Sequence, residues 1–209
     1  PLYSSAASDV YKRQLEAWLL LNEGGVAIMH CESASACEKF THAEARLRTR
    51  CPDEPWLLTQ VRSVLASSWF QTARFGAQVA TFERWLAEAA DRDDRFALAS
   101  LEAQGMGSLR FLLRDEPERV GPQLAEAMAG WPREQFSSIH MTEVGVQHTA
   151  SLYRGGDAAW QYLEAERVRH ERAFLLKTGF GKGLLATSRF QAALTAYAAA
   201  GPGALATHY

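Results

Sequence analysis

The feature that most constrains this chain is a segment of about 40 residues that recurs four times, each copy reading as an antiparallel pair of helices. The second helix of each copy starts near Ser33, Arg74, Pro117 and Asp157, just after a short polar or glycine-containing break. Apolar residues return every three or four positions, the period of one buried helix face. No alternating apolar–polar run bounded by turn residues asks for a strand. A lone helix hairpin cannot bury its apolar face, so recurring hairpins stack on one another. The expected fold is therefore all-α, a right-handed α-solenoid of helix hairpins about four and a half copies long. Such a stack offers surface to partners more readily than a pocket to substrates.

The first pair is expected over Leu15 to Met29 and Ser33 to Arg50, closed by the two prolines of Arg50-Cys51-Pro52-Asp53-Glu54-Pro55. Leu58, Val61, Leu65 and Trp69 mark the next helix, and Phe75, Val79, Phe82 and Leu86 its partner, which ends in Asp91-Arg92-Asp93-Asp94. The third pair places Leu98, Leu101, Leu109 and Leu112 on one face. Gly105 and Gly107 within it each cost about 1 kcal/mol relative to alanine and imply close approach or a bend. Asp115-Glu116-Pro117 then reads as a helix start, with Val120, Leu124, Ala127 and Trp131 buried behind it. The fourth pair begins near Phe136 and carries Ile139, Val146, Ala150 and Tyr153 inward. Gly155-Gly156 makes its turn, with Asp157 as N-cap for a helix through Trp160 and Leu163. Phe174 to Ala200 forms half of a fifth pair, packed through Phe190, Ala193, Leu194 and Tyr197.

At 209 residues and 47% hydrophobic, the chain can bury a core. No apolar run reaches the roughly 18 residues a membrane-spanning helix needs. A net charge of −2 leaves no basic stripe for nucleic acid. Three cysteines, Cys31, Cys37 and Cys51, make no disulfide framework, which sets a cytoplasmic location as the expectation. Residues 1–14, Pro1-Leu2-Tyr3-Ser4-Ser5-Ala6-Ala7-Ser8-Asp9-Val10-Tyr11-Lys12-Arg13-Gln14, show no helical periodicity and resemble translated sequencing-adapter DNA. The helical domain is accordingly expected over 15–200, with 201–209 as a truncated C-terminal end.

Three stretches carry a family resemblance. Arg50-Cys51 precedes Trp56-Leu57 at a short distance, Trp131 is followed by Gln135-Phe136 and His140, and Leu152-Tyr153-Arg154-Gly155-Gly156-Asp157-Ala158-Ala159-Trp160 forms a distinctive turn. Together, over about Leu15 to Ala200, they resemble the tetratricopeptide-like C-terminal region attached to many large bacterial serine/threonine protein kinases, myxobacterial ones above all. Leu57 stands where that family often has an acid, and Asp93 where it has glycine. Lys177-Thr178-Gly179-Phe180-Gly181-Lys182-Gly183 departs from its arginine- and alanine-rich helix. The resemblance implies a regulatory or docking region whose kinase domain lies upstream. The chain itself lacks the Gly-x-Gly-x-x-Gly loop, His-Arg-Asp and Asp-Phe-Gly triplets of such phosphoryl transfer. Neither catalysis nor a cofactor is expected of it.

Residues that suggest chemistry have plainer roles as well. His30, Cys31, Cys37 and His42 are of zinc-ligand type, but their spacing spreads them around a helix, and packing explains the cysteines better. Gly179 to Gly183 lacks the spacing and the hydroxyl residue of a phosphate loop. Asp91, Asp93 and Asp94 lack the spaced ligands of a calcium loop. His140, Glu143 and His148 lie on one helix and define the alternative of an all-α enzyme. Another alternative keeps the repeat array but attaches it to an ATPase-type transcriptional regulator or a cyclase. The expected partner is a protein, a peptide or another domain of the same chain. The expected face comprises polar positions off the stripes, Gln60, Arg62, Gln104, Glu143 and Gln147. Trp85, one position off the Phe82/Leu86 face, is the aromatic expected to be exposed for that partner.

Overall fold

The computed structural model describes residues 2–200, so Pro1 and the expected truncated end at 201–209 lie outside the described residues. Every regular element described is helical. In chain order these are α1 (Leu2–Met29), α2 (Ser33–Arg50), α3 (Pro55–Gln71), α4 (Gly76–Asp91) and α5 (Arg95–Glu102). Then come α6 (Gly105–Leu112), a 3-10 turn (Pro117–Arg119), α7 (Val120–Ala127), α8 (Ser138–Arg154) and α9 (Gly156–Ala165). The chain continues through α10 (Arg167–Arg172), a second 3-10 turn (Phe174–Lys177) and α11 (Gly179–Ala200). It divides into two compact units, one ending at Leu101 and the other beginning at Glu102. No helix among the described residues is long and apolar enough to cross a membrane.

Helix boundaries follow the punctuation in the sequence. α1 and α2 end at Met29 and Arg50 as expected, and Pro55 opens α3 in the first turn, where its missing N–H is harmless. α1 differs in its start, since it runs back to Leu2 and takes in residues that show no helical periodicity in the sequence. The first helix of the third pair is broken. α5 ends at Glu102 and α6 begins at Gly105, and the chain there comes so close that a Cβ on Gly107 would collide with the carbonyl of Glu102. The two glycines thus mark a bend. Gly179 to Gly183 form the opening turn of α11.

Four of the described turns share one construction. Cys31, Ala73, Asp93 and Asp115 each adopt positive φ, at 61°, 53°, 51° and 59°. Just beyond them the N–H groups of Glu32, Arg74, Asp94 and Glu116 donate to the carbonyls of Ala27, Trp69, Ala89 and Phe111, at 2.8 to 3.0 Å. This is the Schellman arrangement, which satisfies carbonyls left over at a helix end and normally uses glycine at the left-handed position. Cys31, Ala73 and Asp115 follow one another at intervals of 42 residues, while Asp93 falls between the last two and the Gly155-Gly156 break uses a glycine at φ 126° instead. The left-handed conformation strains an L-residue by about 1 kcal/mol or more. Ala73→Gly, at an exposed position, is therefore expected to stabilise the first unit by about 0.5–1 kcal/mol in urea denaturation. A destabilised variant would contradict the turn assignment.

In the first unit, Ala17 of α1, Ala43 and Leu47 of α2, and Leu57 and Val61 of α3 form one buried cluster with Cys51. Gly24 of α1 lets the Phe40 ring of α2 lie directly on the helix backbone, where a Cβ would overlap the ring. In the second unit, Ala159 and Leu163 of α9 meet Ala192 of α11. Gly156 abuts the α11 backbone at Ala196 and Ala192.

Several burials differ from expectation. α7 stops at Ala127, and the buried set is Val120, Leu124 and Met128, leaving Trp131 half-buried beyond the helix. Tyr153 points outward, its hydroxyl donating to Asp115 Oδ1 at 2.9 Å. Gly155, with φ 126°, is the residue that caps α9, and Asp157 lies inside its first turn. On α11 the buried face is Ser188, Ala192 and Ala196, because small residues allow close contact with α9. Phe190 and Leu194 face outward, Phe190 being 66% exposed.

Candidate functional site

Two polar constellations and one apolar face stand out. In the first unit, Arg62 of α3 is 3% exposed and lies between two carboxylates. Its Nε and Nη2 donate to Glu44 Oε1 of α2 at 3.2 and 3.0 Å, and its Nη1 donates to Glu88 Oε2 of α4 at 2.7 Å. Its Cζ sits 5.0 Å from the centre of the Trp85 ring, which stacks on Trp69 at 5.0 Å with 17° between planes. Glu44 also meets Arg48 at 3.6 Å. Glu44, Arg48, Arg62, Trp85 and Glu88, with Thr81 and Arg84, line a cleft of about 290 Å³ among α2, α3 and α4. A planar guanidinium suits this place because it can satisfy two acids and stack on an indole at once.

The sequence-based face is corrected accordingly. Trp85 is buried, at 3% exposure, because it follows Phe82 by three residues and precedes Ala89 by four, which places it on the inner face of α4. Arg62 and Glu143 are buried as well, each held by ion pairs. Gln60, Gln104 and Gln147 are half-buried. The structure brings Arg62 and Trp85 together at the cleft. It places Glu143 and Gln147 one turn apart on α8.

In the second unit, His140 opens α8. Its Nδ1 accepts from the Ser137 backbone N–H at 3.1 Å and lies 2.9 Å from the Ser137 hydroxyl, a capping box with histidine in the third helical position. One turn on, Glu143 Oε1 accepts from Arg133 Nη1 at 3.1 Å, and Glu143 Oε2 lies 3.6 Å from Arg169 Nη2 of α10. Arg169 also pairs with Glu166 at 3.2 Å and stands 5.5 Å above the Phe136 ring. Tyr162 of α9 meets His170 edge-on at 6.4 Å, and burial pushes its phenol far above the ordinary range. His148 does not join this cluster. It faces Gln191 of α11. A carboxylate gripped by two guanidiniums and an imidazole committed to a helix cap tie α8 to its neighbours.

Cys37 is buried, whereas His30, Cys31 and His42 are exposed, so these four do not converge. Among the described residues no group of three or more His, Cys, Asp or Glu could hold a metal ion. The Asp91, Asp93 and Asp94 loop is a Schellman turn, with Asp94 Oδ1 accepting from the Ala97 N–H at 2.9 Å to cap α5.

The apolar face is one that sequence reasoning missed. α1 buries Ala17 and Ala27 with Gly24 on one side, yet it exposes Leu15, Trp18, Leu19, Val26 and Met29 on the other. Trp56, at the start of α3, is 52% exposed and leans on Trp18, itself 40% exposed, with ring centres 6.2 Å apart. The available signal was a helix apolar on both faces, which calls for a partner on each. Comparison with protein-family models, curated proteins and solved structures returns no match for this chain.

Proposed function

We propose that this chain is a partner-docking, tetratricopeptide-like helical region that acts without catalysis of its own in a larger signalling protein of the serine/threonine kinase type. Its partner is a protein or peptide segment, or another domain of the same parent. The recurrent hairpins support this reading, as does the position of Leu152 to Trp160, the most distinctive of the resembling stretches, at the α8–α9 turn. The observation that carries it is the exposed face of Trp18, Trp56, Leu15 and Leu19. A contiguous exposed apolar face of this kind marks an interaction site, and tryptophans often anchor such interfaces. Gln60, one turn after Trp56 on α3, borders this face and is the member of the sequence-based set that fits it.

The test begins with the genomic sequence upstream of Leu15. A kinase domain there would be expressed and titrated against this chain by calorimetry. Trp18→Ala/Trp56→Ala is expected to weaken binding at least tenfold, about 1.4 kcal/mol or more, with little change in melting temperature. An upstream frame without kinase motifs removes the kinase assignment, and binding indifferent to both substitutions removes the face.

A further inference from the structure

The second unit carries His140, His148 and His170, all buried, whereas His30 and His42 in the first unit are exposed. His140 Nε2 and His170 Nε2 lack a hydrogen-bond partner, while the His148 ring has the Gln191 side chain beside it. His140 is further constrained because its Nδ1 accepts the Ser137 N–H, so the neutral ring carries its proton on the unpartnered Nε2. Burial disfavours a second proton on each ring, while the neighbouring groups act in both directions. His140 faces Glu143 on its own helix, and against it Arg169 of α10 and Arg133 from the preceding loop. His170 faces Glu166, and against it Arg169 and Arg189 of α11, with Tyr162 at its edge. His148 faces the neutral Gln191. Arg169 therefore stands beside two of the three rings.

We infer that the second unit is an acid-responsive element, in which protonation of these buried imidazoles loosens α8 to α11 on mild acidification while the first unit keeps its fold. Charging a buried ring that lacks an acceptor is unfavourable, and at His140 and His170 the new charge also meets Arg169. Burial first of all holds the three histidines below their ordinary value, with Glu143, Glu166 and Gln191 opposing in part. The folded chain then binds fewer protons than the unfolded one just below pH 6.5. Stability is complete above that pH and declines as pH falls toward the folded values. Glu102, whose carboxyl burial raises, acts in the opposite direction.

Hydrogen exchange of the full chain, read by peptide and corrected for intrinsic chemistry, tests this between pH 7.5 and 5.5. Each histidine can contribute up to about tenfold at pH 5.5. Exchange of peptides from α8, α9 and α11 is therefore expected to speed up tenfold or more, while α2 and α3 change less than twofold. His148→Leu/His170→Phe should remove most of that response. Equal acceleration in both units, no acceleration in the second, or a full response in the double variant overturns the inference. Should the variant fail to fold, imidazole titration of the wild-type chain by NMR decides. Values at or above about 6.5 for these three rings overturn it, and values well below support it.

Discussion

Gly156→Val is expected to lower the stability of the second unit by about 3 kcal/mol. The reason is that the new atoms meet backbone. A Cβ at this position would fall on the Ala196 amide nitrogen and 2.5 Å from the Ala192 carbonyl oxygen. Side chains can rotate away from an intruder, but a helix backbone moves only as a whole. α9 and α11 would have to separate, exposing Ala159, Leu163 and Ala192. Alanine should already destabilise, even though it is the better helix former by about 1 kcal/mol. Gly145 on α8 supplies the contrast, since an added Cβ there has nothing within 4 Å. Gly145→Ala should be neutral or stabilising by up to about 1 kcal/mol. Urea denaturation followed by circular dichroism checks both. The close-approach argument fails if Gly156→Ala behaves like Gly145→Ala.

Arg110→Ala is expected to cost about 3–5 kcal/mol at pH 7. Arg110 Nη2 lies 2.5 Å from Glu102 Oε1, and both residues are buried. The guanidinium also covers the Phe111 ring at 4.4 Å. Burial already raises the Glu102 carboxyl, and Arg110 is the main group holding it down. Without Arg110 the acid is left charged and uncompensated, or must take a proton to stay folded. The loss should thus be full at pH 7 and shrink as pH falls toward the ordinary glutamate range, where the unfolded chain is protonated too. Pairing the change with Glu102→Gln should recover most of the stability at pH 7, because what destabilises is the orphaned charge. A single variant costing under 1 kcal/mol, or a pair no better than the single, would show that the ion pair is not what holds this corner.

The helices and their turns are legible in the chain because periodicity and punctuation are local. Met29 and Arg50 end helices in the structure where the sequence places those ends. What stays hidden depends on which of two apolar faces meets a neighbour. α11 illustrates this. Phe190 and Leu194 have the stronger hydrophobic signal, yet the Ser188, Ala192, Ala196 face is buried because Gly156 and Ala159 opposite let the backbones close up. Trp85 stands just off the line of Phe82 and Leu86, but the buried face of α4 is wide enough to take it in. Arg62 has the look of a surface residue because no local pattern announces that Glu44 and Glu88, 18 positions before and 26 after it, will arrive at its side. Of the constellation around Glu143, only His140 and Glu143 are visible in the sequence, being a helical turn apart. Arg133, Tyr162, Arg169 and His170 reach it from other elements.

The Schellman turns carry a kinetic consequence. Each reverses the chain within a few residues, and α1 meets α2 across one of them. Closing short loops loses little chain entropy, and folds rich in such contacts cross their barriers in microseconds to milliseconds. A helix hairpin can thus form while the residues after it are still being synthesised, at roughly 5–20 residues per second. For this chain each 42-residue interval then lasts seconds on the ribosome, ample time for one hairpin to close before the next emerges.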